Sequence, residues 1–206
     1  DQRPTPEALV EQAQRRLSAN TQLDPATRGD LLRTLGEVSL SLSNFSVAAE
    51  LFGEARELAA GHGDATAERS ARVLHADAQQ RAGRNAEAMQ EIEGQLETLR
   101  ASPSPTLLRA LAVLAAAEIA NGKPDAAIAH RREAAAAADK VYGAGSVEAC
   151  AVAFAVGNTL GQAQRYPESR ATLEPLIERW RASGAPEDER YVAALASLAT
   201  ATDGVG

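Results

Sequence analysis

The residues of this chain that could do chemistry are few and far apart. Three histidines, His62, His75 and His130, have no second histidine or carboxylate at the spacing of a His-Glu-x-x-His metal site. We therefore expect each to be a surface or groove residue and not a metal ligand. The only cysteine, Cys150, lies in an alanine-rich stretch without a histidine placed to activate it, so we expect it to be packed in a core.

Two short motifs resemble functional loops. Gly143-Ala144-Gly145-Ser146 has the glycines of a phosphate loop but lacks the following lysine and the preceding strand, so we expect an ordinary loop in which Ser146 caps a helix. Asn44-Phe45-Ser46 matches a glycosylation acceptor, but its place in a tight turn favours coincidence. The sequence thus predicts no catalytic residue, no cofactor and no metal, and an enzyme of an unrecognised all-helical type is the third-ranked function.

Composition limits the fold and the partners. The chain has 206 residues with 21 Lys and Arg and 28 Asp and Glu, a net charge of −7. The acidic balance argues against a nucleic-acid-binding surface. The chain contains 46 alanines and only seven aromatic residues. This composition excludes an all-β fold and favours closely packed helices. No apolar run is long enough to cross a membrane, so we expect no membrane insertion by this segment.

Helix start and stop signals divide the chain into about ten helices. A capping side chain precedes a proline or a helix-forming run at several points, which predicts helix starts there: Thr5, Asp24, Asp64, Ser104 and Ser146. Apolar residues within the segments recur at helical spacing, as in Leu173, Leu176, Ile177 and Trp180. We find no strand pair, so the elements that position any site are helices.

The helices repeat. Short turns near residues 44, 84, 123 and 166 alternate with longer loops. Aligning the helix after each short turn makes four small residues equivalent at spacings of 40, 39 and 42: Ala48, Ala88, Ala127 and Ser169. The preceding helices align as well, at Gly36, Ala76, Ala115 and Gly157. Small residues at matching places are expected where two antiparallel helices approach closely.

The first repeat carries the resemblance to a known family. Leu32-x-x-Leu35-Gly36, Asn44-Phe45, Ala48, Phe52 and Ala55 closely resemble the tetratricopeptide repeat. The last repeat keeps Gly157, Tyr166 and Leu173, and the middle two depart further, with Arg131 at a usually apolar place. The period exceeds the usual 34 residues and is nearer that of kinesin-light-chain-like arrays. The resemblance implies an all-α fold, a right-handed α-solenoid of antiparallel helix pairs.

The repeat also sets the expected organisation. Residues 1–24 would be an N-terminal capping helix. Four helix pairs would follow, at about 25–62, 63–102, 103–145 and 146–185. Residues 186–206 would be the first helix of a fifth repeat or a C-terminal cap, and their apolar stripe leaves open a homodimer through this helix.

A second resemblance concerns the larger protein to which this chain would belong. The stretch from Pro4 to Leu17, followed by Asp30 to Gly36, resembles the C-terminal repeat region of bacterial serine/threonine kinases. It implies a sensory or scaffolding module of a larger, membrane-anchored bacterial signalling protein, with the repeats in the periplasm, or in the cytoplasm if the parent has no anchor. The start at Asp1, without a methionine, leads us to expect an excised fragment or a processed product. The alternative is a peptide- or small-ligand-sensing domain of a transcriptional regulator.

The resemblance implies that the first helix of each repeat lines a concave groove that binds a protein or peptide. Carrying the family's groove positions onto this chain gives charged, amide and aromatic residues from all four repeats. The candidate partner-binding residues are Arg33, Glu37, Asp77, Arg81, Arg109, Phe154, Asn158 and Gln162. Glu37 would repel a carboxylate, so a clamp for a peptide C-terminus is not expected.

Overall fold

A computed structural model describes residues 5–20, 22–184 and 188–204. The predicted boundary between residues 185 and 186 lies outside these ranges, as do the outer ends of the first and last predicted segments, at residues 1 and 206. The described residues form eleven α-helices and no strand. The chain divides into two compact units, Asp1–Gln95 and Leu96–Gly206. Each unit is built from helix pairs joined by short turns.

The first unit contains helices α1 to α5. Their bounds are α1 Pro6–Ala19, α2 Pro25–Ser41, α3 Phe45–Gly61, α4 Ala65–Arg81 and α5 Asn85–Glu93. Each helix packs against the next one in the chain. The predicted caps are confirmed, because Thr5 accepts a hydrogen bond from the amide of Ala8, Asp24 from that of Thr27, and Asp64 from those of Thr66 and Ala67.

The second unit contains helices α6 to α11. Their bounds are α6 Leu96–Arg100, α7 Pro105–Ala120, α8 Pro124–Tyr142, α9 Val147–Gln162, α10 Tyr166–Ala182 and α11 Glu189–Asp203. Helices α7 to α11 pack in sequence, and α11 also contacts α9. Ser104 and Ser146 cap α7 and α9, and Gly143 and Gly145 have positive φ angles of 92° and 82°, so the glycine-rich segment is the loop that was predicted.

Eleven helices form where about ten were expected, because the segment after the turn at Gly83 is broken. Helix α5 ends at Glu93, Gly94 and Gln95 form a turn, and α6 begins at Leu96. Gly94 is a poor helix former, and its amide still bonds to the carbonyl of Gln90.

The two sets of small residues lie at close contacts between paired helices. Ala48, Ala76, Ala88, Ala115, Ala127 and Ser169 are at most 1% exposed, and Gly36 and Gly157 are also buried. A Cβ atom at Gly36 would lie 2.4 Å from the ring of Phe52, and one at Gly157 would lie 2.4 Å from Leu173. A side chain of the second helix thus fills the space that the glycine leaves on the first.

No helix in the described part of the chain is both long and apolar enough to cross a membrane. Cys150 is fully buried, as predicted, in a cluster with Leu173, Leu176, Ile177 and Trp180.

Candidate functional site

In the second unit, two first helices of the repeat enclose a recess of about 270 Å³. Asn158 and Gln162 of α9 form one side, and Ser197 and Thr200 of α11 form the other. Gly157, Gly161, Ala201 and Ser169 of α10 line the remainder, so the walls are small and uncharged. The recess therefore presents hydrogen-bonding groups without formal charge.

The two amides of α9 are available to a ligand. Asn158 is half-buried, Gln162 is exposed, and they lie one helical turn apart on the same face. Neither amide has a hydrogen-bond partner among the described residues. A side-chain amide has both a donor and an acceptor, the pair that a peptide main chain also offers.

The sequence interpretation named Asn158 and Gln162 but missed Ser197 and Thr200. The repeat contained the signal, because Thr200 follows Asn158 by the same 42 residues that separate Ala199 from Gly157. Treating residues 186–206 as either a repeat or a cap left their groove positions unassigned.

The other two candidates of this unit are less accessible. Phe154 is half-buried on α9 and packs against the cluster around Cys150 and Trp180. Part of its ring is thus committed to the core. Arg109 is half-buried on α7. Neither residue lines the recess between α9 and α11.

In the first unit, a cleft of about 390 Å³ lies where α2, the end of α3 and the start of α4 meet. Its floor is apolar: Pro25, Ala26, Gly29, Ala55, Leu58, Ala59, Ala67 and Ala71. Its rim is charged or polar: Asp24, Asp30, Arg33, His62 and Asp64. An apolar floor with a few polar groups at the edge is typical of a site for a small ligand or a single side chain.

Of the four candidates in this unit, only Arg33 lines the cleft. Its guanidinium forms an ion pair with Asp30 one turn earlier. Glu37 is exposed one turn after Arg33, and Arg81 donates a 2.8 Å hydrogen bond to the buried Asp77 on the same helix. Two of the three acidic side chains of the rim, Asp24 and Asp64, were missed because they also cap helices α2 and α4.

Two histidines differ from the expectation of surface or groove residues. His75 Nδ1 lies 2.7 Å from Glu91 Oε2, and His130 Nδ1 lies 2.9 Å from Glu118 Oε2. Both carboxylates are at most 12% exposed in their side chains. Each contact joins the two helices of one pair, 16 and 12 residues apart in sequence, so no local motif could reveal it.

The first pair has a third member. Arg56 of α3 donates a 3.0 Å hydrogen bond to the second oxygen of Glu91. Burial raises the pKa of Glu91, but His75 and Arg56 outweigh it and hold that pKa below the usual range. Among the described residues, no group of three or more His, Cys, Asp or Glu side chains could hold a metal ion. The pairs therefore act as links between helices.

Comparison with known proteins supports the fold. No family model and no curated protein matches the chain. The solved structure of BtubC (BKLC) from P. vanneervenii superposes with a TM-score of 0.74 at 17% identity, covering 98% of this chain and 82% of that one. A putative kinesin light chain from Podosopora anserina with nearly identical TPR-like repeats gives 0.72 at 21% identity, covering 89% of each chain.

A third structure is similar over nearly the whole chain. It is a signal transduction ATPase with numerous domains (STAND) from Pyrococcus horikoshii, which has a tetratricopeptide repeat sensor. The TM-score is 0.71 at 15% identity, covering 97% of this chain and 30% of that one. The chain has the tetratricopeptide repeat fold. This confirms the predicted α-solenoid fold class, and the groove positions can be compared with those of tetratricopeptide arrays.

Proposed function

We propose that the chain is a non-catalytic module that binds a protein or peptide. The observation that carries the proposal is the recess between α9 and α11, where the side-chain amides of Asn158 and Gln162 have no partner among the described residues. Both lie on a first helix of the repeat, the helix that lines the groove of tetratricopeptide arrays.

The chemistry of this recess suits the main chain of a peptide. Asn158 can accept from an amide N–H and donate to a carbonyl at once, and Gln162 repeats this one turn further along. A peptide N–H and C=O recur at every residue, so such contacts are independent of sequence. Small polar side chains of α11, Ser197 and Thr200, line the other side of the recess.

The cleft of the first unit would supply side-chain recognition. Its floor of alanines and Leu58 favours an apolar group, and its size fits one large side chain. Asp24, Asp30 and Asp64 at the rim outnumber Arg33, so a flanking positive charge on the ligand is favoured. The cleft would thus select an apolar side chain with a positive charge beside it.

We further propose that the module is the sensory or scaffolding region of a larger bacterial signalling protein, with a membrane-anchored serine/threonine kinase preferred. The sequence resemblance to kinase repeat regions supports this, as does the fold it shares with a repeat sensor in a signalling ATPase. The coding sequence that flanks the 206 residues tests this proposal. We expect it to encode a kinase domain and a membrane span. A DNA-binding domain there would contradict the kinase context and favour the alternative, a sensing domain of a transcriptional regulator.

The binding function can be tested with a displayed random peptide library selected on the immobilised 206-residue protein. The affinity of a selected peptide is then measured by fluorescence anisotropy for the wild type and for Asn158→Ala. Loss of a main-chain contact pair should weaken binding by about tenfold.

Gln12→Ala is the matched control, because Gln12 is an exposed amide on α1 in the other unit. It should leave the affinity unchanged. The proposal fails if no peptide is enriched above background, and the assignment of the recess fails if enriched peptides bind Asn158→Ala as tightly as the wild type.

A further inference from the structure

The cleft of the first unit lies within a run of consecutive helices. Helix α3 packs against both α2 and α4, and the cleft of about 390 Å³ opens where α2 and α4 begin and α3 ends. Because α3 already lies against both neighbours, a further helix of the repeat array does not fit between them. The volume is at the lower end of the range for ligand pockets, so the occupant is a small molecule or one side chain of a larger ligand.

The floor of this cleft suits a chain of methylene groups. Ala55 and Ala71 are at most 3% exposed, and the half-buried Leu58 is the largest side chain of the floor. These side chains offer van der Waals contact and no hydrogen bond. An aliphatic stem that carries a charge at its far end can therefore lie on the floor while the charged end stays at the rim.

Two aspartates at the rim close the starts of helices. Asp24 accepts a hydrogen bond from the amide of Thr27 in α2, and Oδ1 of Asp64 accepts from the amides of Thr66 and Ala67 in α4. Free amides at a helix start attract anions, so these caps replace an anion site by a negative charge. Oδ2 of Asp64 accepts no hydrogen bond from the described residues and is open to a ligand.

His62 adds another acceptor to the rim. Its Nδ1 lies 2.8 Å from the main-chain oxygen of Leu58 in the last turn of α3. A carbonyl oxygen only accepts, so the proton is on Nδ1, and Nε2 of the uncharged ring is an acceptor. Nε2 has no hydrogen-bond donor among the described residues. The side chain thus presents a lone pair to a ligand.

The other two charges of the rim compensate each other. Arg33 and Asp30 form an ion pair on α2, which leaves Asp24 and Asp64 as the uncompensated charges. Hydrogen bonds with the side chain and the amide of Thr27 hold the pKa of Asp24 below its usual range, so this carboxylate keeps its charge. The rim is therefore negative and rich in acceptors, which favours a cation with several N–H groups.

We propose that the cleft binds the side chain of an arginine in the peptide ligand. This inference rests on the proposed function as a peptide-binding module, and it names the residue that the first unit reads. The arginine stem lies on Ala55, Leu58 and Ala71, and its guanidinium reaches the rim. A planar guanidinium has N–H groups on several sides, which suits acceptors that belong to three different elements: Asp24, His62 and Asp64.

Other side chains are poorer occupants. The ammonium of lysine is compact and strongly hydrated, so it loses more hydration in an apolar cleft and meets fewer of the separated acceptors. A carboxylate or phosphate would be repelled by Asp24 and Asp64. An uncharged aliphatic side chain gains only the contact with the floor. The expected order of affinity is thus arginine, then lysine, then an aliphatic side chain such as norleucine.

The test uses three capped tripeptides, acetyl-Ala-X-Ala-amide, in which X is arginine, lysine or norleucine. Proton–nitrogen correlation NMR spectra of the 206-residue protein give each dissociation constant from the amide shifts of residues 24–33, 55–62 and 64–71, which line the cleft. The arginine peptide should bind about fivefold more tightly than the norleucine peptide and about threefold more tightly than the lysine peptide. Equal affinity of the arginine peptide and either of the others, or no saturable shift of these amides, would overturn the proposal.

Asp24→Asn combined with Asp64→Asn is the decisive variant. Asparagine caps a helix as well as aspartate does, so both helix starts are kept while the two charges are removed. Thermal unfolding checks that the double variant is folded. It should lose the preference for arginine over norleucine, and retention of that preference would contradict the role of the two carboxylates. Asp188→Asn is the matched control, because Asp188 caps α11 in the other unit, and it should leave all three affinities unchanged.

This result can be separated from that for the recess of the second unit. If the peptide library yields no binder but the arginine tripeptide still shifts the cleft amides in the expected order, the peptide function fails and the cleft remains a guanidinium site. If selected peptides bind through Asn158 while the arginine tripeptide leaves the cleft amides unchanged, the peptide function stands and the assignment of the cleft to arginine is wrong.

Discussion

The hydroxyl of Ser169 on α10 donates a 2.8 Å hydrogen bond to the main-chain oxygen of Gly157 on α9. These residues belong to the two sets of small residues that recur along the chain, and both are buried. The other three residues equivalent to Ser169 are alanines. This repeat thus adds a hydrogen bond to a contact that the others make by shape alone.

Ser169→Ala should lower the free energy of unfolding by about 1 kcal/mol, because the bond is lost while the helix around Gly157 keeps its own hydrogen bonds. Chemical denaturation measures the change. Thr172→Ala on the same helix is the control, since the hydroxyl of Thr172 bonds within its own helix, to the carbonyl of Glu168 one turn earlier. If Thr172→Ala lowers the free energy of unfolding as much as Ser169→Ala does, the hydrogen bond between the two helices adds no stability beyond that of a bond within one helix.

Two glycines of α2 should respond in opposite directions to alanine. A Cβ at Gly36 would lie 2.4 Å from the Phe52 ring, so Gly36→Ala should destabilise the protein by about 2 kcal/mol. At Gly29 the nearest side-chain atom is 3.8 Å away, so Gly29→Ala should gain up to about 1 kcal/mol from helix propensity. Thermal and chemical unfolding of the two variants measure both changes in stability. Equal changes in the free energy of unfolding would contradict the close contact at Gly36.

Helix ends and helix contacts differ in how far the sequence predicts them. The caps at Asp24, Asp64 and Ser146 are local signals, because an oxygen two or three residues before a free amide is all that a cap needs. The small-residue positions are predictable as well, since a common period places them. The first signal is local, and the second comes from comparing the repeats.

The site was only half predictable. Asn158 and Gln162 follow from their place on a first helix. The recess also needs Thr200 of α11, which the period places but which was left unassigned because residues 186–206 could be a repeat or a cap. The contact of His75 with Glu91 was not predictable, because it depends on how α4 and α5 pack. Side-chain contacts between helices depend on the rotation of each helix, which the apolar stripe defines only coarsely.

Arg131 is half-buried where the first repeat has Phe52, and its Nε atom is buried. Its Nε has no hydrogen-bond partner, and burial lowers the pKa of its guanidinium. Arg131→Leu should raise the free energy of unfolding by about 1 kcal/mol, because a buried donor without a partner is removed and the apolar repeat position is restored. Denaturant titration measures the gain.

Arg132→Leu is the control for this prediction, because it makes the same change at the next residue of the helix. Arg132 is exposed and pairs with Glu168 at 3.5 Å, so its loss should change stability by less than about 1 kcal/mol. Destabilisation by Arg131→Leu would mean that the guanidinium makes a contact the apolar side chain cannot replace.

The contact of Glu91 with His75 and Arg56 should make the stability of the first unit depend on pH. The pKa of Glu91 is held below its usual range in the folded protein, so the unfolded chain binds the proton more readily. The stabilisation is therefore complete above the ordinary carboxyl pKa of about 4.3 and is lost as the pH falls through the lowered value. Glu91→Gln should cost about 2 kcal/mol at neutral pH, because it removes the carboxylate charge that Arg56 and His75 contact.

The decisive measurement is the difference in unfolding free energy between the wild type and Glu91→Gln from about pH 7 to about pH 3. It should shrink toward acid, since the wild-type carboxylate becomes protonated and resembles the variant. Glu57→Gln is the control, because Glu57 lies 3.9 Å from the same Arg56 but its side chain is 78% exposed, so it should show almost no difference at any pH. A difference for Glu91→Gln that stays constant across the range would mean that the amide alters packing, and that the ion pair does not stabilise the contact between α3, α4 and α5.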